Sequence, residues 1–348
     1  MILIKELTEL NGVSGNENEV REYIKSKING LCDSIEVDTI GNIIAYKKGS
    51  SGRLKVMLSA HMDEVGFMVS GYMEKGFLKF KTVGGIDSRI LPGKRVVIGK
   101  KRLKGVIGAK PLHQQSPEER ERIAKIKDLY IDIGAETKEE AEKLAPLGEF
   151  VAFDSDYVEL GNDCIKAKAL DDRVGCAVLM EVLKYKFEFD LYACFTVQEE
   201  VGLRGAQVAA FKIMPDVALV LEGTTCADVP EVKPFDFSTE LGNGAALTLV
   251  DRTCYSDRKL VQFLYDTAVK NGIKVQFKQT TTGGNDAGQI QRTGNGVKTA
   301  SISVPCRYIH SPVSVMSRSD FECVERLTLA ALNEMNKDKD FTKNVAAV

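Results

Sequence analysis

The sequence predicts an α/β protein: a largely parallel mixed sheet flanked by helices, with an inserted β-rich, barrel-like domain. From residue 171 onward, β-forming apolar runs alternate with amphipathic helical segments, which is typical of a mostly parallel sheet covered on both faces. Between residues 67 and 109, short β-rich pieces are separated by Gly and Lys, as in a small barrel or sandwich. The 348 residues suffice for one large domain or for two.

The start of the chain predicts helices, a hairpin and a strand. The opening segment and residues 17–28 have helical periodicity. Residues 34–49 alternate like a hairpin, with a turn near Gly41-Asn42. The apolar run RLKVMLSAHMD, residues 53–63, then predicts a strand.

Residues 66–164 form a predicted insertion into a larger domain made of residues 1–65 and 165–348. Two charged segments of the insertion predict helices. SPEERERIAK has the pattern of a capped, solvated helix, and TKEEAEKLA has the Thr-x-x-Glu spacing of a capping box. The alternative is that the β-rich block extends one continuous core.

The segment after residue 165 alternates helices and strands. The predicted helices are residues 171–187, 202–211, 257–272 and 320–336, and the β-rich pieces are residues 191–197, 216–221, 274–284 and 298–306.

Charge and hydropathy exclude several classes of protein. A formal net charge of -2 and a pI near 6.1 provide no electrostatic reason to expect nucleic acid. No apolar run approaches the ~20 residues needed to span a bilayer. The N-terminus also lacks the basic start and long apolar core of a secretory signal. The sequence therefore predicts a cytoplasmic protein with no membrane partner and no nucleic-acid partner.

The eight cysteines are scattered, without a C-x-x-C pair. Cys176, Cys194 and Cys306 lie in apolar runs and are predicted to be small buried thiols. A disulfide framework is not expected in such a chain.

Side chains that can bind a metal follow four of the apolar runs. They are His61 with Asp63, the pair Glu199-Glu200, Glu222, and His310. In an open α/β sheet, ligands gather outside the carboxyl ends of the strands. We therefore expect these residues to converge although they are distant in the sequence.

The Glu199-Glu200 pair follows a buried strand. Adjacent side chains in a strand point to opposite faces, so the two can share a site only where the strand ends and GLRG bends the chain. Metal-assisted hydrolysis uses such a pair, one carboxylate as ligand and its neighbour as general base toward bound water. The alternative is a solvated charge pair before a helix.

Each remaining candidate has a structural alternative. Asp171-Asp172 opens a helix, so either acid could cap it while Asp171 could instead bridge two metals. His61 could donate its second ring N–H to the carboxylate or carbonyl of Asp63, or it could be a packed core residue. Glu222 precedes Gly223, which suggests a turn where acids are frequent.

Taken together, the candidates predict a two-metal hydrolytic site. Two imidazoles and three carboxylates provide mixed N/O ligation, which suits Zn, Co or Mn, and the lack of thiolates argues against a structural zinc site. The ligands are His61, Asp171, Glu200, Glu222 and His310.

Three other motifs have different interpretations. His113 lies in the predicted insertion, where a structural or substrate-contacting role is favoured over ligation. Residues 281–288, TTGGNDAG, lack the Lys and spacing of a phosphate loop and with Asp286 are expected to form a turn that lines the site. No serine nucleophile elbow is present.

Five motifs, in this order, strongly resemble the TET (tetrahedral) aminopeptidases, relatives of the glutamyl aminopeptidases: HMDEVGFMV, ALDDRVG, TVQEEVGLRGA, GGNDAG and PCRYIHSP. The resemblance extends over essentially the whole chain. It implies a zinc-exopeptidase-like fold, with an inserted domain that serves dimerisation and substrate access.

The resemblance also implies a role for each site residue. It assigns one metal to His61 and Glu222, a second to Glu200 and His310, and the bridging position to Asp171. Glu199 would be the general base and acid, and Asp63 the partner of His61. The usual acid of the family at position 222 is Asp, so Glu222 is a departure that keeps the charge.

We therefore predict a metal-dependent aminopeptidase that hydrolyses N-terminal residues from short peptides, through a metal-bridging water activated by Glu199. The resemblance implies a homo-oligomer in which dimers assemble into a dodecamer. A deacylase or carboxypeptidase with the same two-metal chemistry is the alternative, and Arg307 or Arg173 could then bind a substrate carboxylate. A non-enzymatic scaffold would lack a ligand or the base, yet every position is filled.

Overall fold

A computed structural model describes residues 1–52, 54–337 and 341 of the chain; the end of the predicted segment 165–348 therefore lies partly outside the described residues. The α-helices are α1 Ile2–Glu9, α2 Asn18–Ile28, α3 Pro117–Glu121, α4 Lys138–Leu144, α5 Leu170–Val182, α6 Arg204–Ile213, α7 Arg258–Lys270, α8 Ala287–Gln291 and α9 Arg318–Lys337.

The strands fall into one large sheet and one closed barrel. The sheet contains β1 Ser34–Val37, β2 Ile43–Lys47, β3 Lys55–His61, β10 Val158–Leu160, β11 Cys164–Ala167, β12 Asp190–Thr196, β13 Val217–Thr225, β14 Ala245–Thr248, β15 Val275–Phe277, β16 Lys298–Arg307 and β17 Ser314–Ser317. The barrel contains β4 Gly66–Tyr72, β5 Leu78–Val83, β6 Arg95–Ile98, β7 Leu103–Ala109, β8 Leu129–Asp132 and β9 Phe150–Phe153.

The centre of the large sheet is parallel and its flanks are antiparallel. The strand order is β1-β2-β12-β3-β13-β16-β17-β11-β10. Neighbours from β12 to β16 pair in parallel, whereas β2, β14 and β17 pair with this central block antiparallel. The predicted mixed α/β sheet is confirmed, and its four central strands end at the same edge.

Both faces of the central strands are buried, as a sheet covered by helices requires. Along β13, Leu219 and Leu221 belong to the apolar core on one face, while Ala218 and Val220 belong to the core on the other. Successive side chains of a strand point to opposite faces. A continuous apolar run is therefore what this position in the sheet demands.

The predicted barrel is confirmed, with the strand order β4-β5-β8-β7-β6-β9. Its core centres on Phe67, whose ring packs edge-on against Phe80 and Phe153 with centroids 5.1 Å apart in each case. The last barrel strand, β9, ends at Phe153, within the predicted insertion 66–164. After Phe153 the chain forms β10, which pairs with β11 in the large sheet.

The two charged segments of the insertion form short helices. At α3, Ser116 and Glu119 make both hydrogen bonds of a capping box, but the helix has only five residues and is shorter than SPEERERIAK predicts. At α4, Thr137 accepts from the Glu140 N–H. The Glu140 carboxylate accepts from Glu136 N–H instead of closing the box.

Among the described residues, no helix combines the length and apolarity needed to cross a membrane. All eight cysteines are free, and Cys176, Cys194 and Cys306 are buried as predicted.

Candidate metal centre

The carboxyl ends of the central strands open onto one cavity of about 370 Å³. His61 is the last residue of β3, and Glu199 and His310 each come three residues after their strand, β12 and β16. The predicted site residues that line the cavity are His61, Asp171, Glu199, Glu200, Glu222 and His310. Asp63 is fully buried and contacts the site from behind.

Asp171 lies between the two histidines, with one carboxylate oxygen toward each. Its Oδ1 is 3.2 Å from Nε2 of His61, and its Oδ2 is 3.6 Å from Nε2 of His310. Each histidine has a second acid: Glu222 Oε2 lies 3.6 Å from His61 Nε2, and Glu200 Oε2 lies 3.2 Å from His310 Nε2. The geometry is that of two ligand groups joined by one carboxylate.

Both imidazoles are oriented by backbone carbonyls. Nδ1 of His61 is 3.0 Å from the Asp63 carbonyl oxygen, and Nδ1 of His310 is 2.9 Å from that of Gly85, in the barrel. A carbonyl oxygen only accepts, so Nδ1 must carry the proton in each ring. A neutral ring then presents the lone pair of Nε2 to the cavity, as a metal ligand requires.

The Asp63 carboxylate supports the Glu199-Glu200 pair. It accepts hydrogen bonds from the N–H groups of Glu199 (3.0 Å) and Glu200 (3.1 Å) and from the Ser14 hydroxyl (2.6 Å). Its Oδ1 is 3.5 Å from Nδ1 of His61, farther than its own carbonyl. Of the two alternatives for Asp63, the closer contact is therefore through the carbonyl, while the carboxylate positions the two acids.

The chain bends before Glu199, earlier than GLRG suggests. Gln198 has a positive φ of 57°, a strained conformation that clusters at functional sites. The buried Glu17 accepts from the Gln198 N–H (3.3 Å) and from the Gly15 N–H (2.6 Å). Sequence reasoning did not identify Glu17 as a residue that supports the site. The one available signal is that Glu17 occupies the N-cap position of α2, where Glu is not a favoured residue.

Asp171 and Asp172 have different environments. Both have non-helical dihedral angles, and the peptide bond between them is cis. Asp172 accepts from the N–H of Gly175 (3.0 Å) and from that of His61 (3.1 Å). Capping of the helix is therefore the role of Asp172, and the Asp171 carboxylate faces the cavity.

The predicted turn after Glu222 is wrong. β13 continues through Gly223 to Thr225, so Glu222 lies within the strand and not at its end. Gly223 is required there for another reason: a β-carbon would lie 2.9 Å from Cα of Asp171. A glycine at this position lets the strand pass directly against the bridging acid.

Burial dominates the electrostatics of the acids. It raises the pKa of Glu199 and of Glu222 well above the ordinary value, and that of Glu200 to about 7, with neighbouring carboxylates adding to each shift. Asp171 differs: burial opposes its ionisation, but hydrogen bonds from the histidines hold its pKa below the usual range.

The pKa values of both histidines are also raised, but for a different reason. Burial opposes protonation of both rings, yet the carboxylates raise the pKa of His310 to about 9 and that of His61 well above its ordinary value. Several carboxylates buried in one cavity thus favour the binding of positive charge. Divalent cations with mixed N/O ligands meet that requirement.

The residues present fit a metal. Ligand atoms of His61, Asp171 and Glu200 lie within 4.8 Å of one another, as do those of His61, Asp172 and Glu222. Asp172 already accepts two N–H bonds and belongs to the support of the site. Glu222 Oε1 is buried and has no hydrogen-bond partner among the described residues. A buried acceptor without a hydrogen-bond partner is unfavourable, and a bound cation would supply the missing partner.

The predicted turn 281–288 contributes four residues to the cavity wall: Thr282, Gly283, Gly284 and Asn285. Asp286 is not among them. It is 1% exposed and accepts from the Thr196 hydroxyl at 2.6 Å.

Three other candidates lie outside the cavity lining. His113 is exposed in a short turn of the insertion. Arg173 is fully buried and donates to the carbonyls of Met62 and Leu7. Arg307 donates two hydrogen bonds to Asp228. Neither arginine is placed to bind a substrate carboxylate in this cavity.

The chain resembles curated aminopeptidases along nearly its whole length. Residues 41–327 match the family model described as M42 glutamyl aminopeptidase, and residues 1–22 match a model named AMPT. A putative aminopeptidase of Acetivibrio thermocellus is 41% identical over 95% of this chain and 97% of its own length. The lysyl aminopeptidase of Pyrococcus furiosus is 33% identical (98% of each chain). The glutamyl aminopeptidase of Lactococcus lactis subsp. cremoris is 31% identical (97% and 96%).

Solved structures show the same fold. The TET aminopeptidase from the archaeon Thaumarchaeota archaeon SCGC AB-539-E09 superposes with a TM-score of 0.95 at 37% identity, covering 99% of this chain and 98% of that one. The TET1 peptidase of Pyrococcus horikoshii, described as assembling into a tetrahedron or a large octahedral shell, gives 0.85 at 36% identity, with 94% and 98% covered.

Proposed function

The chain belongs to the M42 glutamyl aminopeptidase family, and on this premise we propose which of its residues hold metal and move the proton. It is a metal-dependent aminopeptidase, a hydrolase that acts on peptide bonds.

The position of Asp171 carries the proposal. One of its oxygens faces His61 and the other faces His310, so it can serve two ions at once. His61 and Glu222 would hold one ion, Glu200 and His310 would hold the other, and Asp171 would contribute to both. The N/O ligand set suits Zn or Co, with Mn a third candidate.

Each side chain then has one task in the reaction. Divalent ions bound to these residues would supply Lewis-acid chemistry toward the scissile carbonyl and would lower the pKa of the attacking water. Glu199 accepts a proton from that water and returns it to the amine of the leaving product. The Asp63 carboxylate accepts hydrogen bonds from the N–H groups of Glu199 and Glu200. These bonds fix the position of both residues relative to the proposed ligands.

Glu199 offers the decisive test of the assignment. Glu199→Gln keeps the size of the side chain but cannot take a proton, so we expect a loss of kcat of about 10²–10⁴-fold with metal content unchanged. The assay measures hydrolysis of leucine p-nitroanilide after chelation and readdition of Zn, Co or Mn, together with metals per chain by mass spectrometry. Glu322→Gln, on the exposed face of α9, is the matched control.

The number of metal ions per chain also tests the assignment of the metal ligands. His61→Ala and His310→Ala should each lower the metal content by about one ion per chain, because each removes a ligand from only one group. Wild-type turnover by Glu199→Gln would contradict the role of Glu199 as general base. Full metal content in both histidine variants would contradict the proposed ligands.

The deacylase and carboxypeptidase alternatives have less support, because Arg173 and Arg307 are both engaged away from the cavity. An N-acetylated peptide separates the reactions. An aminopeptidase should not hydrolyse it. Release of the C-terminal residue would favour a carboxypeptidase, and release of the acetyl group would favour a deacylase.

We further propose that the substrates are short peptides and that the chain forms dimers that assemble into a dodecamer in the cytoplasm, with the barrel contributing to dimerisation and access. The support is similarity to the TET1 peptidase described as forming a tetrahedron. Light scattering of the purified protein tests the assembly, and a mass of one or two chains would contradict it.

A further inference from the structure

Glu199 and Glu200 share one cavity because the chain bends immediately before them. β12 ends at Thr196, and two adjacent side chains of a continuing strand would point to opposite faces. Gln198 has a φ of 57°, which lies in the left-handed region that glycine adopts freely and other residues avoid. Such a conformation persists only where the surrounding structure holds it. Other residues must therefore maintain the bend at Gln198.

Two buried carboxylates accept the successive N–H groups of the bend. Asp63 accepts from the N–H of Glu199 at 3.0 Å and from that of Glu200 at 3.1 Å. Glu17 accepts from the N–H of Gln198 at 3.3 Å. Asp63 thus holds the two acids, and Glu17 holds the residue whose strained conformation directs them into one cavity.

The side chain of Glu17 does not serve the helix that follows it. Glu17 occupies the N-cap position of α2, but its carboxylate makes no capping hydrogen bond. It is 2% exposed, and the same oxygen, Oε1, accepts from the N–H groups of Gly15 and Gln198. Burial of an acid is unfavourable unless hydrogen bonds compensate it. Helix capping therefore does not account for a buried glutamate at this position.

A short segment, Ser14-Gly15, links the two carboxylates to each other. The Ser14 hydroxyl donates to Asp63 at 2.6 Å, and the Gly15 N–H donates to Glu17 at 2.6 Å. Gly15 has a φ of 89°, which a glycine adopts without steric cost. The segment therefore fixes both acceptors in position relative to one another and to the bend.

We propose that Glu17 is a positioning residue for the peptidase reaction: it accepts the Gln198 N–H and so maintains the bend that places Glu199 in the cavity beside Glu200. This inference rests on the proposed function of the cavity and adds a residue to it. Glu17 is not among the described residues that line the cavity. It acts through the backbone of Gln198 and not through contact with the substrate.

Two other roles for Glu17 predict different results. If Glu17 only stabilises the fold, by accepting the buried Gly15 N–H, its loss lowers Tm and leaves kcat of the folded enzyme unchanged. If its negative charge acts on the cavity through space, every neutral replacement is equally defective. A positioning role requires an acceptor oxygen at this place and tolerates the loss of the charge.

The experiment measures kcat, KM and Tm of the full-length enzyme with leucine p-nitroanilide at saturating metal. Glu17→Gln keeps an acceptor oxygen where Oε1 now accepts both N–H groups, so its kcat should stay close to that of the wild type. Glu17→Leu has a similar size but no acceptor. A displacement of about 1 Å at a reacting group can cost ~10²-fold in rate, so we expect kcat to fall by about 10–100-fold with little change in KM.

A second substitution tests the bend itself. Glycine adopts a positive φ without steric cost, so adding Gln198→Gly to Glu17→Leu should restore about tenfold of the lost kcat. The Tm of the double variant should stay as low as that of Glu17→Leu, because the Gly15 N–H still lacks its acceptor. Glu19→Leu is the matched control, since Glu19 is an exposed acid in the first turn of the same helix, and it should keep the wild-type kcat.

Three results would overturn the inference. The first is a wild-type kcat in Glu17→Leu, whatever its Tm. The second is an equal loss of kcat in Glu17→Gln and Glu17→Leu, which would assign the effect to the charge. The third is a double variant no more active than Glu17→Leu. If Glu17→Leu does not fold, Glu17→Ala replaces it in every comparison, because the smaller side chain introduces no steric conflict.

Failure of the proposed function gives a different result. A wild type that hydrolyses no leucine p-nitroanilide with Zn, Co or Mn contradicts the proposed function. An active wild type with an equally active Glu17→Leu contradicts only the role of Glu17.

Discussion

Gly223 packs directly against Asp171, and a β-carbon at position 223 would lie 2.9 Å from Cα of Asp171 and 3.0 Å from its Cβ. The contact joins β13, which holds Glu222, to the start of α5, which holds the acid between the two histidines. The spacing of the proposed ligands thus depends on the missing side chain of a residue that binds nothing itself.

Replacing Gly223 by Ala should therefore damage the site without unfolding the protein. The added methyl group must displace Asp171 or β13, and a shift of about 1 Å at a reacting group can cost ~10²-fold in rate. We expect kcat/KM to fall by about 10–100-fold and the metal content to drop, with Tm lowered by only a few degrees. Wild-type activity in Gly223→Ala would contradict this prediction, because it would show that β13 and the start of α5 can move apart without damage to the site.

Asp63→Asn tests whether the carboxylate behind the site is needed for activity. The substitution places an NH₂ group where the N–H groups of Glu199 and Glu200 now find acceptors, so one of those bonds is lost. Changes to groups that orient metal ligands typically cost about 10–100-fold in activity or metal affinity, and we expect an effect of that size. Ser14→Ala removes the third bond to Asp63 and leaves both N–H bonds, so its defect should be smaller. Equal defects in the two variants would contradict this role.

Glu64→Gln should strongly destabilise the fold. Its carboxylate accepts from Nζ of Lys168 at 2.7 and 2.8 Å, from Arg173 at 3.3 Å and from the Gly12 N–H at 2.9 Å, and all of these bonds are buried. Removing one partner of a buried ion pair leaves the other charges uncompensated, at a cost of about 3–5 kcal/mol.

The measurement is the free energy of unfolding in denaturant, at a fixed protein concentration. Glu22→Gln breaks the exposed pair between Glu22 and Lys25 (3.0 Å) and should change the stability by less than about 1 kcal/mol. A Glu64→Gln protein as stable as this control would refute the role of the buried cluster.

Asp320 should make the stability depend on pH. Its two oxygens accept from the N–H groups of Gly242 and Gly244, each at 2.7 Å, and burial raises the pKa of its carboxyl to about 6. Since the pKa in the folded state exceeds that of the unfolded chain, the folded state binds the proton more tightly. The resulting stability is fully present below about pH 4 and is lost as the pH rises through about 6.

Comparison with Asp320→Asn isolates this contribution, because all other groups titrate in both proteins. Between pH 4 and pH 7 the wild type should lose stability relative to the variant. Thermal unfolding at several pH values measures the difference in Tm, and a difference that does not change with pH, or that changes in the opposite direction, would contradict the prediction.

Much of the site could be predicted because its residues stand at the ends of apolar runs. His61 ends β3, and Glu199, Glu200 and His310 follow β12 and β16 within a few residues. Four parallel strands must end at one edge of the sheet, so the convergence of these side chains follows from the strand pattern alone.

Local patterns are least informative where a distant contact determines the structure. Gly223 resembles a turn because glycine weakens a strand, and only the contact with Asp171 explains its presence within β13. The last barrel strand ends at Phe153, and β10, which follows it, pairs with β11 in the large sheet. Local sequence contains no signal for either contact.

Periodicity and the order of the elements are sufficient to predict the α/β class, the barrel insertion and the residue types at the strand ends. How those residues are held depends on contacts between distant segments. Glu17 supports the bend at Gln198 from another part of the chain, and Gly85 of the barrel orients His310. Each of these contacts joins residues far apart in sequence, so it exists only after the chain has folded and the burial of the core has set the distance between them.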